Sequence, residues 1–322
     1  MKIGYKLAAE AFGPKELVAQ AERAEQAGFD FVEISDHYHP WVEEQGHSPF
    51  AWPVLGAIAA RTTTLELATG VTCPTVRYHP AIIAQAAATL AVMSDGRFTL
   101  GVGAGERLNE HVVGLGFAES VVVRHDMLRE ALEIMRLLWK GGYQSYQGKH
   151  FQLDAARVWD LPERPPLVAV AAGGPRAARL AAEHGDGMFA TEPDPSLDEA
   201  YRKHGGDGPH YAEMPLSWAT DEQTAVKAAH KLARWSTGGW PVMAELPNPP
   251  SFDAASQTVT EDDIRQSMPT GPDASGILSN AQTYADAGTD HLVLQNWGPD
   301  IEGFMDFYRS ELDGPLRALS PS

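Results

Sequence analysis

Three short stretches carry the residues able to do chemistry. Ser35-Asp36-His37-Tyr38-His39-Pro40-Trp41 packs a carboxylate, two imidazoles and an indole into seven residues. Gly101-Val102-Gly103-Ala104-Gly105-Glu106-Arg107-Leu108-Asn109-Glu110 sets an acid and an amide behind three glycines. Ala172-Gly173-Gly174-Pro175 puts a glycine pair ahead of a helix start. A group that moves a proton near neutral pH must titrate close to it. An imidazole with a pKa near 6.5 is the natural acceptor. His37 is that candidate, with Asp36 beside it to orient the ring or shift its pKa. Glu106 adds a carboxyl to the same rim. The glycines allow close approach to a planar ligand, although Gly101, Gly103 and Gly105 lack the G-x-G-x-x-G spacing. The amide end of the helix after Gly174 suits a phosphate. Singly, each stretch reads as a structural histidine, a packing tryptophan or a turn. Together they describe a cofactor bed.

Other chemistries find less support. His37-x-His39 matches the H-x-H pair of zinc-dependent barrel hydrolases, but such a site needs further ligands at later strand ends. Those ends offer Glu106, Thr191, Trp218 and Asn296, and His291 opens its strand on the opposite rim. No metal is expected. There is no G-x-S-x-G elbow, and Gly46-His47-Ser48 does not replace it. Cys73 reads as a small buried hydrophobe in preference to a nucleophile.

Positioning these groups falls to short apolar runs that alternate with amphipathic segments. Strands are expected at 3–6, 29–35, 65–71, 98–102, 167–171, 188–190, 214–218 and 292–295. Helices are expected at 14–26, 52–61, 82–93, 124–140 and 175–184, with a last one around 304–312. The first helix stops at Ala27-Gly28. Residues 144–159 read as a hairpin with Gln147-Gly148 as its turn. Eight strand–helix units predict a closed (β/α)8 TIM barrel over an open doubly wound sheet. Insertions are expected between strands four and five and after strand seven. The latter is the proline-rich stretch 238–268, near the active-site mouth. With no linker in view, residues 1–322 are expected to form one domain.

Composition bounds the partners. Acids outnumber bases by 43 to 25, and a formal charge of −18 repels both nucleic acid and anionic lipid. A single cysteine excludes an internal disulfide framework. The N-terminal residues hold no apolar run of signal-peptide length. The longest apolar stretch, 81–93, is too short to span a bilayer. A cytoplasmic globular protein is expected.

The run Ser35-Asp36-His37 with Pro40-Trp41, the Gly101–Asn109 stretch and Ala171-Ala172-Gly173-Gly174-Pro175 together resemble the coenzyme F420-dependent glucose-6-phosphate dehydrogenase family, among the luciferase-like flavin and deazaflavin barrels. The likeness extends from Lys2-Ile3-Gly4-Tyr5-Lys6 to Glu311-Leu312. It includes Gly70-Val71-Thr72-Cys73-Pro74-Thr75 and Arg77-Tyr78-His79-Pro80. The resemblance implies F420 as cofactor, a small alcohol or sugar as substrate, and a homodimer. It implies that His37 takes the hydroxyl proton, that Trp41 covers the reacting centre and that Glu10 lines the substrate side. Glu106 would protonate the deazaflavin as hydride reaches C5. Asp36 and Cys73 would contact the cofactor, and Gly70-Val71 would form a cis peptide behind its ring. Asn109, Gly173 and Gly174 would hold its phosphate-bearing chain.

One departure stands out. Where the family holds its substrate phosphate with basic side chains, this chain places Asp194, Asp253 and about Gln266; Thr191 is retained. Two acids repel a phosphate, so an uncharged hydroxylated substrate is expected. The alternatives are an FMN-dependent luciferase-like monooxygenase, a glucose-6-phosphate dehydrogenase proper and a non-catalytic binding barrel.

Overall fold

Alternation along each strand decides which side chains reach the barrel axis. In β1 (Lys2–Leu7), Ile3, Tyr5 and Leu7 join the apolar layer beneath the helices, while Lys6 turns inward to meet Glu33 and Glu213. In β2 (Phe31–Ile34), Val32 and Ile34 face outward and Phe31 and Glu33 inward. In β9 (His210–Leu216), Ala212, Met214 and Leu216 face the helices and Tyr211 and Glu213 the axis. An aromatic group fills part of the barrel: Tyr211 stacks on Phe189 with centroids 5.9 Å apart and takes Phe31 edge-on at 5.7 Å.

The computed structural model describes residues 1–114 and 116–321. The other barrel strands are β3 (Glu66–Thr69), β4 (Phe98–Val102), β7 (Leu167–Ala171), β8 (Gly187–Ala190) and β10 (His291–Asn296). The barrel closes in the order β1-β10-β9-β8-β7-β4-β3-β2, every pair parallel. This is the eight-stranded architecture expected from the sequence. Closure puts every strand's C-terminal end on one rim, where the loops can converge.

Around the strands lie α1 (Pro14–Ala27), α2 (Ala51–Arg61), α3 (Pro80–Met93), the single turn α4 (Arg107–Glu110), α5 (Val121–Leu138), α6 (Pro175–His184), α7 (Pro195–Lys203) and α8 (Glu222–Ala233). Gly28 ends α1 at φ 96°, a left-handed conformation that favours glycine. The stretch singled out as an insertion holds α9 (Trp240–Met243), α10 (Pro249–Ala255) and α11 (Glu261–Ser267). The chain finishes with α12 (Ala274–Asp286), α13 (Ile301–Phe307) and α14 (Asp313–Ala318). Among the described residues no helix is long and apolar enough to cross a membrane.

Two local expectations need correction. The strand expected at 214–218 begins at His210 and ends at Leu216. Its head is hidden in the sequence because His210 is polar, yet it is buried and its amide donates to Asp290 Oδ1 at 2.9 Å. The hairpin β5 (Gln144–Gln147) and β6 (Gln152–Ala156) pairs Gln147 with Gln152, so the turn is 148–151 and not the expected Gln147-Gly148 pair. Glu130 on α5 makes the longer turn possible. Its carboxylate accepts from the amides of Lys149, His150 and Phe151 at 3.0, 2.9 and 3.2 Å.

Candidate active site

Glu10 lies just beyond β1, His37 just beyond β2 and Glu106 beyond β4. The structure brings these three together. His37 Nδ1 sits 2.6 Å from Glu10 Oε1, and His37 Nε2 sits 3.9 Å from Glu106 Oε1. Burial pushes the His37 imidazole down, but Glu10 and then Glu106 outweigh it, and the net direction is up. Burial likewise works against ionised Glu10, yet His37 and Lys6 hold its carboxyl below the usual range. Engagement of Nδ1 by Glu10 leaves Nε2 as the nitrogen free to accept a proton. Trp41 presents itself edge-on to the imidazole, with ring centroids 5.0 Å apart at 85°.

The carboxylate that holds His37 is therefore Glu10, not the Asp36 expected from adjacency. Successive residues of an extended segment point to opposite sides, so Asp36 and His37 do not share a face. Asp36 is buried and its carboxylate accepts from Thr72 Oγ1 at 2.9 Å, Trp52 Nε1 at 3.3 Å and the Tyr78 hydroxyl at 3.0 Å. These three bonds fix the Asp36 carboxylate beneath the rim.

Asn109 makes three bonds within the protein. Its carbonyl oxygen accepts from the amides of Tyr38 and His39 at 2.7 and 3.0 Å, and its amide nitrogen donates to Glu106. It ties the His37 loop to the Glu106 loop. Cys73 is buried with Sγ 3.1 Å from Thr75 Oγ1, and burial and Glu110 push its thiol up. It fits the packing role and lacks the thiolate character of a nucleophile.

The Gly70–Val71 peptide is cis. Any side chain at Gly70 would collide with Glu33, its Cβ falling 1.8 Å from Oε1. Gly70 O accepts from Lys6 Nζ at 3.0 Å, and Lys6 also donates to Glu33 and, at 2.8 Å, to Glu213. Burial pushes the Glu33 carboxyl well up, and Lys6 opposes it. This buried group beneath the rim went unread in the sequence. Its signal was a charge set among apolar residues in each of three strands, at positions that alternation turns inward.

Gly173 and Gly174 precede α6 in open space. A Cβ on Gly174 would meet nothing within 4 Å, and one on Gly173 only Trp240 at 3.9 Å. The leading end of that helix is thus open to an anion.

On the substrate side the residues separate. Thr191 is exposed, and Asp194 caps α7, accepting from Ser196 N at 2.9 Å. Asp253 lies 2.7 Å from Arg234, which also pairs with Glu44 at 3.0 Å. The charge argument against a phosphate therefore weakens: one acid is neutralised and the other turned to its own helix. In its place the structure offers an aromatic wall that sequence reasoning missed. Trp41 stacks on Trp235 with centroids 4.2 Å apart and meets Phe252 edge-on at 5.2 Å. Met243 and Trp297 complete the cluster.

The family model described as luciferase-like monooxygenase matches residues 1–291. The chain is similar to an F420-dependent glucose-6-phosphate dehydrogenase of Nocardia farcinica, 35% identical with 99% of each chain covered. Its counterpart in Amycolatopsis mediterranei is 34% identical over 99% of both. Among solved structures, an F420-dependent secondary alcohol dehydrogenase in complex with an F420-acetone adduct superposes with a TM-score of 0.89 at 32% identity, covering 98% of each chain.

Proposed function

The chain belongs to the luciferase-like monooxygenase family, and we propose that it is an F420-dependent dehydrogenase that oxidises an uncharged secondary alcohol or sugar, or runs the reverse reduction. The relatives above use F420 on CH–OH groups, which supports the cofactor and the bond. The observation that carries the reading is the line Glu10–His37–Glu106, with contacts of 2.6 and 3.9 Å at the mouth of the barrel.

The residues present fit such a cofactor. Gly173 and Gly174 leave the α6 terminus clear for its phosphate, and Val71 and Ala104 are partly exposed at the rim for its ring. When bound, a deazaflavin supplies an acceptor or donor of two electrons with a proton equivalent. The chain does the rest. His37, held through Nδ1 by Glu10, takes the hydroxyl proton at Nε2 as the carbinol is oxidised. Glu10 stabilises the imidazolium that forms. Glu106, fixed by Asn109, delivers a proton on the cofactor side. Trp41, backed by Trp235, keeps water from the reacting carbon.

The aromatic wall and the commitment of Arg234 to two carboxylates favour an uncharged substrate over a sugar phosphate. The test is a screen of unphosphorylated sugars and secondary alcohols against glucose-6-phosphate, following loss of the oxidised cofactor's visible band. Saturable turnover of glucose-6-phosphate alone overturns the substrate assignment. Binding of FMN without quenching of deazaflavin fluorescence overturns the cofactor, and binding of neither leaves only the inert barrel. A homodimer belongs to the same reading. The α2–α3 face exposes Ile82 at 56% and Met93 at 48%, an apolar surface suited to a second copy. Sedimentation at the monomer mass removes it.

A further inference from the structure

Three loops of the rim meet at one buried guanidinium that the reaction scheme leaves unused. Arg77 follows β3, and its side chain is 7% exposed. Its Nε donates to Glu110 Oε1 at 2.9 Å and its backbone amide to Glu110 Oε2 at 3.0 Å. Its Nη2 donates to the Asp36 carbonyl oxygen, and its Nη1 to the Tyr78 hydroxyl at 3.3 Å. Tyr78 in turn donates to Asp36 Oδ1 at 3.0 Å.

The covalent connections give this arrangement its consequence. Asp36 immediately precedes His37, and Glu110 lies one helical turn beyond Glu106. The helix between Glu106 and Glu110 is a single turn, too short to hold its own geometry. A planar fork with five donors can fix two acceptors at set angles, which a point charge cannot. Glu110 responds to the same contacts. Burial raises its carboxyl, Arg77 lowers it and Glu106 raises it, for a value of about 6. The charged and titratable groups around it are Arg77 and, further off, Asp36 and Tyr78 from the neighbouring loops. Glu106 and Cys73 also lie close enough to interact with it.

We propose that Arg77 is a positioning residue for the reaction: by clamping the Asp36 carbonyl to Glu110 it sets the separation of His37 from Glu106. It touches neither substrate nor cofactor in this role, and it acts through the two groups on which the proposed function rests.

Arg77→Lys keeps the charge and loses the fork. The expected result is a fall in kcat of about 10- to 100-fold, with KM and the cofactor Kd within about threefold, because misplacement of reacting groups costs rate before it costs binding. In a His37→Ala background the same replacement should change kcat by less than about twofold, since the group it positions is gone. A loss of equal size in both backgrounds overturns the clamp, as does wild-type kcat in Arg77→Lys alone. Wild-type kcat in His37→Ala overturns the base assignment instead, so the two failures are told apart. Should Arg77→Lys fail to fold, Arg77→Met with Glu110→Gln removes both charges together. The same fall in kcat and the same insensitivity in the His37→Ala background are then required.

Discussion

The two sides of the mouth are built by different physics. On the side of β1, β2 and β4, the site is wired: Glu10 to His37, Asn109 across two loops, Arg77 beneath them. On the side of the insertion it is packed: Trp41 on Trp235, with Phe252 and Met243 behind. Hydrogen bonds between buried polar groups fix angles and fail abruptly when a partner is lost. Stacked rings tolerate sliding and lose contact area gradually. The wired side is therefore suited to hold reacting atoms, and the packed side to choose among substrates. Mutations on the first should move kcat, and mutations on the second KM.

The largest break in that contrast comes from His37→Ala. It should cut turnover by about 100-fold or more and leave deazaflavin affinity nearly unchanged in a fluorescence titration. Loss of cofactor binding in proportion to rate would return His37 to a structural role. Glu10→Gln comes next, with turnover lower by about tenfold and a changed pH profile. His37 must be neutral to accept a proton, and Glu10 holds its pKa up. Alcohol oxidation in the unaltered protein should thus rise with pH through a midpoint above about 6.5. Without Glu10 the burial of His37 is less opposed, and the midpoint should fall. The same pair has a stability signature. The contribution of His37 is full below its unfolded pKa and is lost as pH rises through the folded one. That of Glu10 is present above its unfolded pKa and lost as pH falls through the folded one. Between roughly pH 4.5 and 6.5 both are in place, so a melting-temperature scan of Glu10→Gln should show its largest deficit there.

How much of this was legible in the sequence differs between the two sides as well. The eight strand–helix units of the barrel follow from short apolar runs alternating with amphipathic segments, and His37, Trp41 and Glu106 stand out because polar chemistry gathers at strand ends. The pairing of His37 was not legible: Asp36 adjoins it in the chain, and only three-dimensional closure brings Glu10 from another strand to 2.6 Å. Lys6, Glu33 and Glu213 each look like one odd charge in an apolar run until the barrel closes and makes them neighbours. On the packed side, Trp235 and Phe252 lie in a stretch with little periodicity. Nothing local says that both pack against Trp41, far away along the chain.

Trp235→Leu sharpens the contrast from the packed side. Removing one face of the stack should raise KM for the alcohol by about five- to tenfold and leave kcat within about threefold, since ground-state contact is lost without moving His37. Steady-state kinetics with a short and a bulkier secondary alcohol would check it, and selectivity between the two should narrow. A fall in kcat with KM unchanged would mean that the packed side also holds reacting atoms, and the division drawn above would fail.

The smallest effect is expected at Asp194, where the sequence and the structure point to different consequences. Read as a member of the substrate pocket, Asp194 repels a phosphate, so Asp194→Ala should open the way to glucose-6-phosphate. In the structure its carboxylate accepts from Ser196 N at 2.9 Å and starts α7 on the surface. Loss of a capping side chain costs about 1 kcal/mol of stability, and an exposed cap has no path to His37. Asp194→Ala should therefore lower the melting temperature by a few degrees, with alcohol kinetics within twofold and no phosphate-sugar activity gained. New turnover of glucose-6-phosphate would show instead that charge on the packed side decides the substrate, in place of aromatic fit.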